Sequence, residues 1–129
     1  LPSREEVYAM CGKDELKHII QTLAARGLKA IAVKMSVEGA LVYQSKDNRI
    51  YHIPIYPSKT VDPTGAGDSF CGAFLTAFLR TGDAIESACY ATVAASYVVE
   101  TIGALNTLKM DFSDREERLA LVKRNVRPV

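Results

Sequence analysis

The sequence predicts an α/β fold, in which helices pack against a small β-sheet. Segments with a helical spacing of apolar residues alternate with β-rich segments, which is typical of layered α/β structures. The β-rich run Ala30 to Met35 is apolar enough to be a strand that is buried on both faces. Two further strand-like segments lie on either side of the turn residues Asp47 and Asn48, which indicates an antiparallel hairpin.

Two helices are expected before the first strand. A short helix should run from about Arg4 to Met10 and end at Gly12. Asp14 can cap a second helix, in which apolar residues recur at helical spacing until Gly27 ends it. The pattern therefore predicts a helical pair ahead of the sheet.

The middle of the chain contains the hairpin and a longer helix. Gly39 marks a turn, after which Ala40 to Gln44 and Arg49 to Ile55 are expected to be strands. A long apolar run then predicts a helix from about Gly65 to Arg80.

Two further helices are predicted by capping boxes, in which a polar residue at the helix start is followed three positions later by Glu. Asp83 and Glu86 have this spacing and should begin a helix that reaches about residue 100. Ser113 and Glu116 repeat it at the start of a terminal helix that reaches about residue 123.

The composition is that of an ordinary globular domain. The chain has 129 residues, 48% hydrophobic and 24% charged, and this length allows one domain with a real core but scarcely two. Its formal net charge of +1 and its scattered basic residues give no support for binding to nucleic acid or to a membrane surface. No apolar stretch approaches the roughly 20 residues of a membrane span. We therefore expect neither a nucleic-acid partner nor a membrane partner.

The cysteines indicate a cellular compartment. Cys11, Cys71 and Cys89 are odd in number, widely separated and set in apolar surroundings. This predicts reduced, buried thiols in a cytoplasmic protein, without a disulfide framework or a metal site. The chain begins at Leu1, already close to a helix, and we expect it to be the tail of a longer protein.

The segment Val61 to Phe70 (VDPTGAGDSF) carries the main functional signal. The Gly65-Ala66-Gly67 turn lies between a strand-like segment and an apolar run, so it should begin a helix. The first turn of a helix exposes unpaired N–H groups and has a positive partial charge, so it binds anions. Asp68 places a carboxylate beside that anion site. This combination suits phosphoryl transfer to a hydroxyl group.

The same segment resembles a known family signature. Asp62, Thr64, the glycine turn, Asp68 and the following Cys71-Gly72-Ala73-Phe74 are similar to the C-terminal signature of the ribokinase-like (pfkB) family of carbohydrate and nucleoside kinases. Three other segments occur in the family's order: Ser3 to Glu6 with Cys11-Gly12, Val33 to Ala40, and Ala91 to Gly103.

The resemblance covers nearly the whole chain but only about the C-terminal half of a typical member. It implies that residues 1–129 are the C-terminal nucleotide-binding portion of a single ribokinase-like domain. The implied fold is a three-layer α/β/α arrangement, here an incomplete domain with a β-hairpin and helices.

The resemblance implies an ATP-dependent kinase that phosphorylates a hydroxyl of a sugar or sugar-like acceptor. Asp68 would be the catalytic base, and the backbone N–H groups of Gly65, Ala66 and Gly67 would bind the transferring phosphoryl group. From the residues alone, Asp68 could instead be an ordinary first-turn aspartate that stabilises its helix.

The resemblance also implies contacts to the nucleotide. These would come from Lys34, Ser36, Gly39, Thr64 and Thr92. Ser36 replaces a glycine that is usual in the family, and serine tolerates a positive φ poorly. Lys34 as a surface lysine and Thr92 as a packing residue are the structural alternatives.

The implied metal ions are Mg²⁺ and a monovalent cation, K⁺, which many members bind. Glu6 would help to hold Mg²⁺ through water molecules, although Ser3 replaces the family's asparagine three residues earlier and could simply be the helix N-cap. Asp62 would lie near the monovalent cation, with carbonyl groups around Val98, Thr101 and Gly103 as further ligands. Glu6 as a solvated helix carboxylate and Asp62 as a hydrogen-bonded loop residue are the alternatives.

The acceptor and the assembly stay open at this point. A nucleoside kinase and a non-catalytic nucleotide-binding fragment are the alternatives to a sugar kinase. Substrate specificity in this family depends on the N-terminal half of the domain, so residues 1–129 do not reveal the acceptor. This portion alone is expected to be inactive. A homodimer of the full-length protein is a further open expectation.

Overall fold

The computed structural model describes the backbone of residues 1–129 and every side chain except that of residue 104. The helices, strands and two short 3-10 helices of this part follow one another as α1 Arg4–Cys11, α2 Leu16–Ala24, β1 Ala30–Lys34, 3-10 Ser36–Glu38, β2 Ala40–Gln44, β3 Arg49–Ile53, α3 Ala66–Thr81, α4 Ala84–Val99, 3-10 Ala104–Lys109, α5 Arg115–Arg124 and β4 Arg127–Pro128.

The four strands form one antiparallel sheet in the order β1-β2-β3-β4. Val42 in the centre of β2 lies opposite Ala32 of β1 and Tyr51 of β3, so the predicted hairpin is confirmed. Strand β3 ends at Ile53, two residues earlier than expected, because Pro54 has no N–H group to continue the ladder. The two-residue strand β4 was not predicted.

Helices cover both faces of this sheet. Ile31 and Val33 of β1 pack with α1 and α2 on one face, whereas Ala32 between them packs with α3, α4 and α5 on the other. Successive side chains of a strand point to opposite faces, so an apolar run such as β1 contributes to both cores. The structure therefore has the predicted three-layer α/β/α arrangement, and β1 is buried on both faces.

The helix ends differ from the predicted caps in three places. Asp83 caps α4 by accepting the N–H of Glu86, but the carboxylate of Glu86 binds Lys123 instead of completing a capping box. The capping box predicted at Ser113 is wrong, because Ser113 bonds to Asp111 and α5 begins one residue later.

At α2 the carboxylate of Asp14 accepts the N–H of Glu15, which is itself the N-cap residue of the helix. The predicted cap by Asp14 is therefore displaced by one residue. Instead, the Asp14 carboxylate bonds to the ring of His18 one turn later, on the exposed side of the helix.

The expectation of buried thiols holds only in part. Cys89 is buried, and this burial raises the pKa of its thiol to about 11. Cys71 is half-buried. Cys11 is exposed, because it is the last residue of α1 and lies outside both cores, so the prediction is wrong for this residue.

None of the described helices combines the length and the apolar character that a membrane crossing requires.

Gly39, in the turn between β1 and β2, lies close to the backbone at the end of β3. Its φ is +89°, and a Cβ at this position would lie 2.2 Å from the carbonyl oxygen of Ile53. Any side chain would therefore push the turn between β1 and β2 away from the end of β3, and the conformation itself is one that only glycine adopts readily.

We predict that Gly39→Ala lowers the free energy of unfolding by several kcal/mol. Two costs combine, because the alanine would have to adopt a positive φ and its Cβ would overlap the carbonyl oxygen of Ile53. Chemical denaturation followed by circular dichroism would measure this loss. Gly27→Ala is the matched control, because Gly27 also has a positive φ, of +87°, but open space around its Cβ position. Equal losses for the two variants would show that the contact with Ile53 is unimportant.

Candidate active site

The first turn of α3 presents unpaired backbone donors. Gly65 precedes the helix with a φ of +84°, and no side chain caps this end. The N–H of Ala66 donates to the carbonyl of Pro63 at 3.2 Å, and that of Ser69 donates to the carbonyl of Gly65 at 2.9 Å. Within the described part of the chain, the N–H groups of Gly65, Gly67 and Asp68 have no acceptor. These three N–H groups are therefore available to an anion, whereas the N–H of Ala66 already donates to Pro63.

Asp68 lies on this first turn with its side chain exposed. Its carboxylate forms no ion pair with any side chain that the structure describes. A carboxylate with no internal partner can accept a proton from a bound molecule, which is the property that a general base needs.

Lys34, the last residue of β1, brings a positive charge to the same helix start. Its Nζ lies 3.4 Å from the sulfur of Cys71, one turn along α3. The position that a Cβ would take at Gly67 is 3.7 Å from this Nζ. The ammonium group therefore adds a full charge to the partial positive charge of the helix end.

A cavity of about 210 Å³ opens beside this helix start. It brings together six of the residues singled out in the sequence: Lys34, Ser36, Gly39, Ala66, Gly67 and Thr92. The remaining lining residues are Val37, Ile55, Tyr56, Ser58, Thr60, Pro63, Phe70, Ala95, Ser96 and Val99. Glu6, Asp62, Thr64, Gly65 and Asp68 do not line the cavity.

Part of this lining was missed by sequence reasoning. Tyr56 and Ser58 lie in the irregular segment between β3 and α3, which has no periodicity and no motif to single them out. Ser96 follows Thr92 by one helical turn in an alanine-rich helix, and this i, i+4 pair of hydroxyl residues was the one available signal.

Ser36 has a φ of +55°, in the left-handed region. Few residues other than glycine adopt this conformation without strain, which is consistent with the expectation from the family resemblance that glycine is usual here. Ser36 adopts it in the turn that lines the cavity.

Glu6 forms a capping box with Ser3 at the start of α1. The N–H of Ser3 donates to Glu6 Oε2 at 2.6 Å, and the N–H of Glu6 donates to Ser3 Oγ at 3.2 Å. The backbone hydrogen bond from Ser3 is the main cause of the lowered pKa of Glu6, and the charge of Lys34 also contributes. Ser3 is thus the helix N-cap, and the magnesium role of Glu6 stays a prediction.

The carboxylate of Glu6 suits a magnesium ion that keeps part of its water shell. Magnesium keeps much of its water shell and is commonly held by one or two carboxylates together with phosphate oxygens. Glu6 keeps Oε1 free of protein hydrogen bonds in the described chain, and no cluster of three His, Cys, Asp or Glu side chains occurs there. Glu6 therefore fits a magnesium ion that is bound together with a nucleotide, and the described residues do not form a complete metal site by themselves.

Asp62 joins two loops. Its Oδ1 accepts the N–H of Thr64 at 2.9 Å, and its Oδ2 accepts the N–H of Gly103 at 3.1 Å. The carbonyl of Val99 accepts the N–H groups of Val61 and Asp62 at 2.7 and 3.1 Å. Hydrogen bonds from Thr64 and then from Gly103 lower the pKa of Asp62.

These bonds bear on the expected monovalent cation. Both oxygens of Asp62 already accept an N–H, and the carbonyl of Val98 accepts the N–H of Thr101 at 3.4 Å. The cation at Asp62 stays a prediction, and the role that the geometry gives this residue is to hold the start of α3 against the end of α4.

A profile of the pfkB family carbohydrate kinases matches residues 1–110. The chain therefore belongs to the pfkB family of carbohydrate kinases, and its fold is that of ribokinase-like proteins.

Several curated proteins are similar to this chain. A nucleoside kinase of Methanothermobacter thermautotrophicus is 32% identical over 101 residues, which are 78% of this chain and 31% of that protein. A cytidine kinase of Thermococcus kodakarensis is 33% identical over 79 residues, 61% of this chain and 28% of that protein. A deoxyribokinase of Salmonella typhi is 31% identical over 93 residues, 68% of this chain and 29% of that protein.

Solved structures show the same fold. A candidate ribokinase II of E. coli in complex with ATP and Mg²⁺ superposes with a TM-score of 0.77 at 28% identity, over 93% of this chain and 38% of that one. Ribokinase of Thermotoga maritima gives a TM-score of 0.71 at 27% identity, over 96% of this chain and 41% of that one. The chain thus spans less than half the length of the relatives and structures that it matches.

We predict that the hydrogen bonds of Asp62 make stability depend on pH. A pKa that is lowered on folding stabilises the folded state above the unfolded value of 3.8, and this contribution is lost as the pH falls through the folded pKa. Asp62→Asn should therefore lower the thermal midpoint at pH 7, and the difference from wild type should shrink below about pH 4. Thermal unfolding between pH 3 and pH 7 would test this, and a difference that does not change with pH would contradict it.

Proposed function

We propose that this chain is the nucleotide-binding and catalytic portion of a kinase that transfers the γ-phosphoryl group of ATP to a hydroxyl of a sugar or nucleoside. The observation that carries the proposal is the start of α3. There the N–H groups of Gly65, Gly67 and Asp68 have no acceptor in the described chain, and the ammonium of Lys34 lies beside them. Membership of the pfkB family supports the same reaction.

In the proposed reaction, Asp68 accepts the proton of the acceptor hydroxyl as its oxygen attacks the γ-phosphorus. The bond between this phosphorus and the bridging oxygen of ATP breaks, and ADP leaves with that oxygen. Negative charge on the transferring group is stabilised by the unpaired N–H groups of α3 and by Lys34. Magnesium, held with the help of Glu6, would neutralise phosphate charge when it is bound.

The nucleotide would occupy the cavity beside α3. Ser36 and Gly39 line it at the turn after β1, where the phosphate groups would lie. Thr92 lines it from α4. Thr64 would act through the loop that Asp62 holds. Most of the remaining wall is apolar, which suits the flat face of a base.

Two alternatives rest on the comparisons. The curated relatives include a cytidine kinase and a nucleoside kinase beside a deoxyribokinase, so a nucleoside is the second candidate for the acceptor. Because the chain spans about 30% of these relatives, a non-catalytic nucleotide-binding fragment is the alternative for this portion when it acts alone.

We predict that Asp68→Asn in the full-length protein lowers kcat by roughly 10²- to 10⁴-fold, the range expected for loss of a general base, with nucleotide affinity little changed. Steady-state kinetics with a panel of sugars and nucleosides would measure this, and direct nucleotide titration would measure the affinity. Undiminished turnover would exclude Asp68 as the base. Nucleotide binding by the wild type without turnover of any acceptor would favour the binding fragment.

We predict that Gly67→Ala impairs phosphoryl transfer without loss of stability. Gly67 has helical backbone geometry, so the backbone does not require a glycine, and a methyl group there would stand 3.7 Å from Lys34 Nζ at the anion site. A drop in kcat of about tenfold or more is expected, since oxyanion donors are typically worth 10²–10³ in rate.

The matched control for this variant is Gly72→Ala on the same helix. A Cβ at Gly72 would have nothing within 4 Å, so the substitution should raise stability by about 0.5–1 kcal/mol and leave kcat unchanged. Kinetics and thermal unfolding of both variants would be compared. Equal kcat values for the two variants would place the phosphoryl group away from the start of α3.

A further inference from the structure

Arg118 is the most deeply embedded basic side chain outside the site described above. It lies on α5, beyond the residues 1–110 that match the family, and only 7% of it is exposed. Burial of a charged group is costly unless the group is paired and hydrogen-bonded. Its surroundings therefore need an explanation.

Three polar partners hold the guanidinium. Nη1 and Nη2 bind the two carboxylate oxygens of Glu100 at 2.9 and 3.0 Å, and Nε binds Asp114 Oδ2 at 2.8 Å. Nη1 also donates to Ser96 Oγ at 2.9 Å. Burial by itself would lower the pKa of Arg118, but the hydrogen bonds to Glu100 and Asp114 outweigh it and raise this pKa. The group is thus a fixed cation.

Two aromatic rings enclose the same guanidinium. Its central carbon lies 3.9 Å from the ring centroid of Tyr97 and 4.6 Å from that of Tyr56. The hydroxyl of Tyr97 donates to Asp114, and burial followed by this hydrogen bond raises the pKa of Tyr97 to about 12. Cation–π contacts at these distances restrict both the cation and the rings.

Two of these partners belong to the wall of the candidate nucleotide cavity. Tyr56 and Ser96 both line it, and so does Ser58. The N–H of Ser58 donates to the carbonyl of Tyr56 at 2.8 Å, so the position of Tyr56 sets that of Ser58. Ser58 Oγ is buried and has no hydrogen-bond partner among the described residues. A buried hydroxyl without a partner at a cavity wall is the state expected of a group that a ligand satisfies.

We propose that Arg118 is a positioning residue for the nucleotide: it fixes Tyr56 in the cavity wall, so that Ser58 Oγ is held ready to bond the nucleotide. This rests on the proposed use of the cavity for a nucleotide. Among the described residues, Arg118 forms no hydrogen bond or ion pair with Asp68 or with the start of α3, and it acts on affinity through the wall.

The test measures nucleotide affinity and turnover of the full-length protein carrying Arg118→Lys. Lysine keeps the charge but loses the two-point pairing with Glu100 and the contact of the guanidinium with the ring of Tyr56. Titration with a non-hydrolysable ATP analogue, well below the thermal midpoint of the variant, should show about a tenfold higher Kd. The kcat at saturating ATP should stay within about threefold of wild type. Arg115→Lys, on the exposed side of α5, is the control and should change neither value.

Tyr56→Leu provides a second route, because it leaves the ion pairs of Arg118 intact. It should also raise the Kd about tenfold, and Arg118→Lys added to it should raise the Kd by less than twofold more, since both changes remove the same contact. Fully multiplicative effects would overturn the proposal. So would an Arg118→Lys variant that melts earlier but binds with wild-type affinity, since that result indicates a purely structural role.

The outcome also separates this inference from the proposed function. A wild-type chain that binds no ATP analogue refutes the nucleotide cavity and the role of Arg118 with it. A wild-type chain that binds the analogue, together with variants that bind equally well, refutes only the role of Arg118.

Discussion

The double hydrogen bond of Asp62 is the constraint on which the candidate site depends. One carboxylate oxygen holds the loop before α3 and the other holds the chain after α4. The carbonyl of Val99 adds two more bonds between the same segments. Because an α-helix points its unpaired N–H groups along its axis, fixing the loop at its start fixes where an anion can bind. The position of Gly67 and Asp68 relative to the cavity follows from this tie.

The site combines backbone donors with few charged side chains. The start of α3 supplies N–H groups at no cost in side-chain freedom, while Lys34 supplies the one full positive charge that the structure places within 4 Å of the Cβ position of Gly67. The antiparallel sheet brings Lys34 there, because β1 ends where the turn through Ser36 and Gly39 begins. The requirement for glycine at position 39 is thus a requirement of the sheet. The backbone imposes no such requirement at Gly67, where we propose that the anion site favours a glycine.

Much of the fold was predictable because its signals are local. The hairpin followed from Asp47 and Asn48, and the start of α3 followed from the glycine turn before an apolar run. Of the six predicted residues that share the cavity, Ala66 and Gly67 followed from the glycine turn itself. The other four were found through the resemblance of short motifs: Lys34, Ser36, Gly39 and Thr92. The capping box at Ser113 failed because Asp111 competes for the same hydroxyl and N–H, a choice that spacing alone does not reveal.

The environment of Arg118 could not be predicted in this way. Its helix reads as a solvated surface helix, with charged residues on every side. Its contact with Tyr56 joins residues far apart in the chain, and neither residue lies in a motif. Such contacts depend on how whole layers pack, and periodicity carries no information about them.

The position of Arg118 along the chain has a consequence for biosynthesis. The glycine turn, α3 and α4 all leave the ribosome before Arg118 of α5, which follows Val99 by nineteen residues. At typical rates of synthesis this is a delay of roughly one to four seconds. During that interval Tyr56 lacks the guanidinium beside it and Glu100 lacks its cation, so the start of α3 is synthesised before the cavity wall at Tyr56 gains this support.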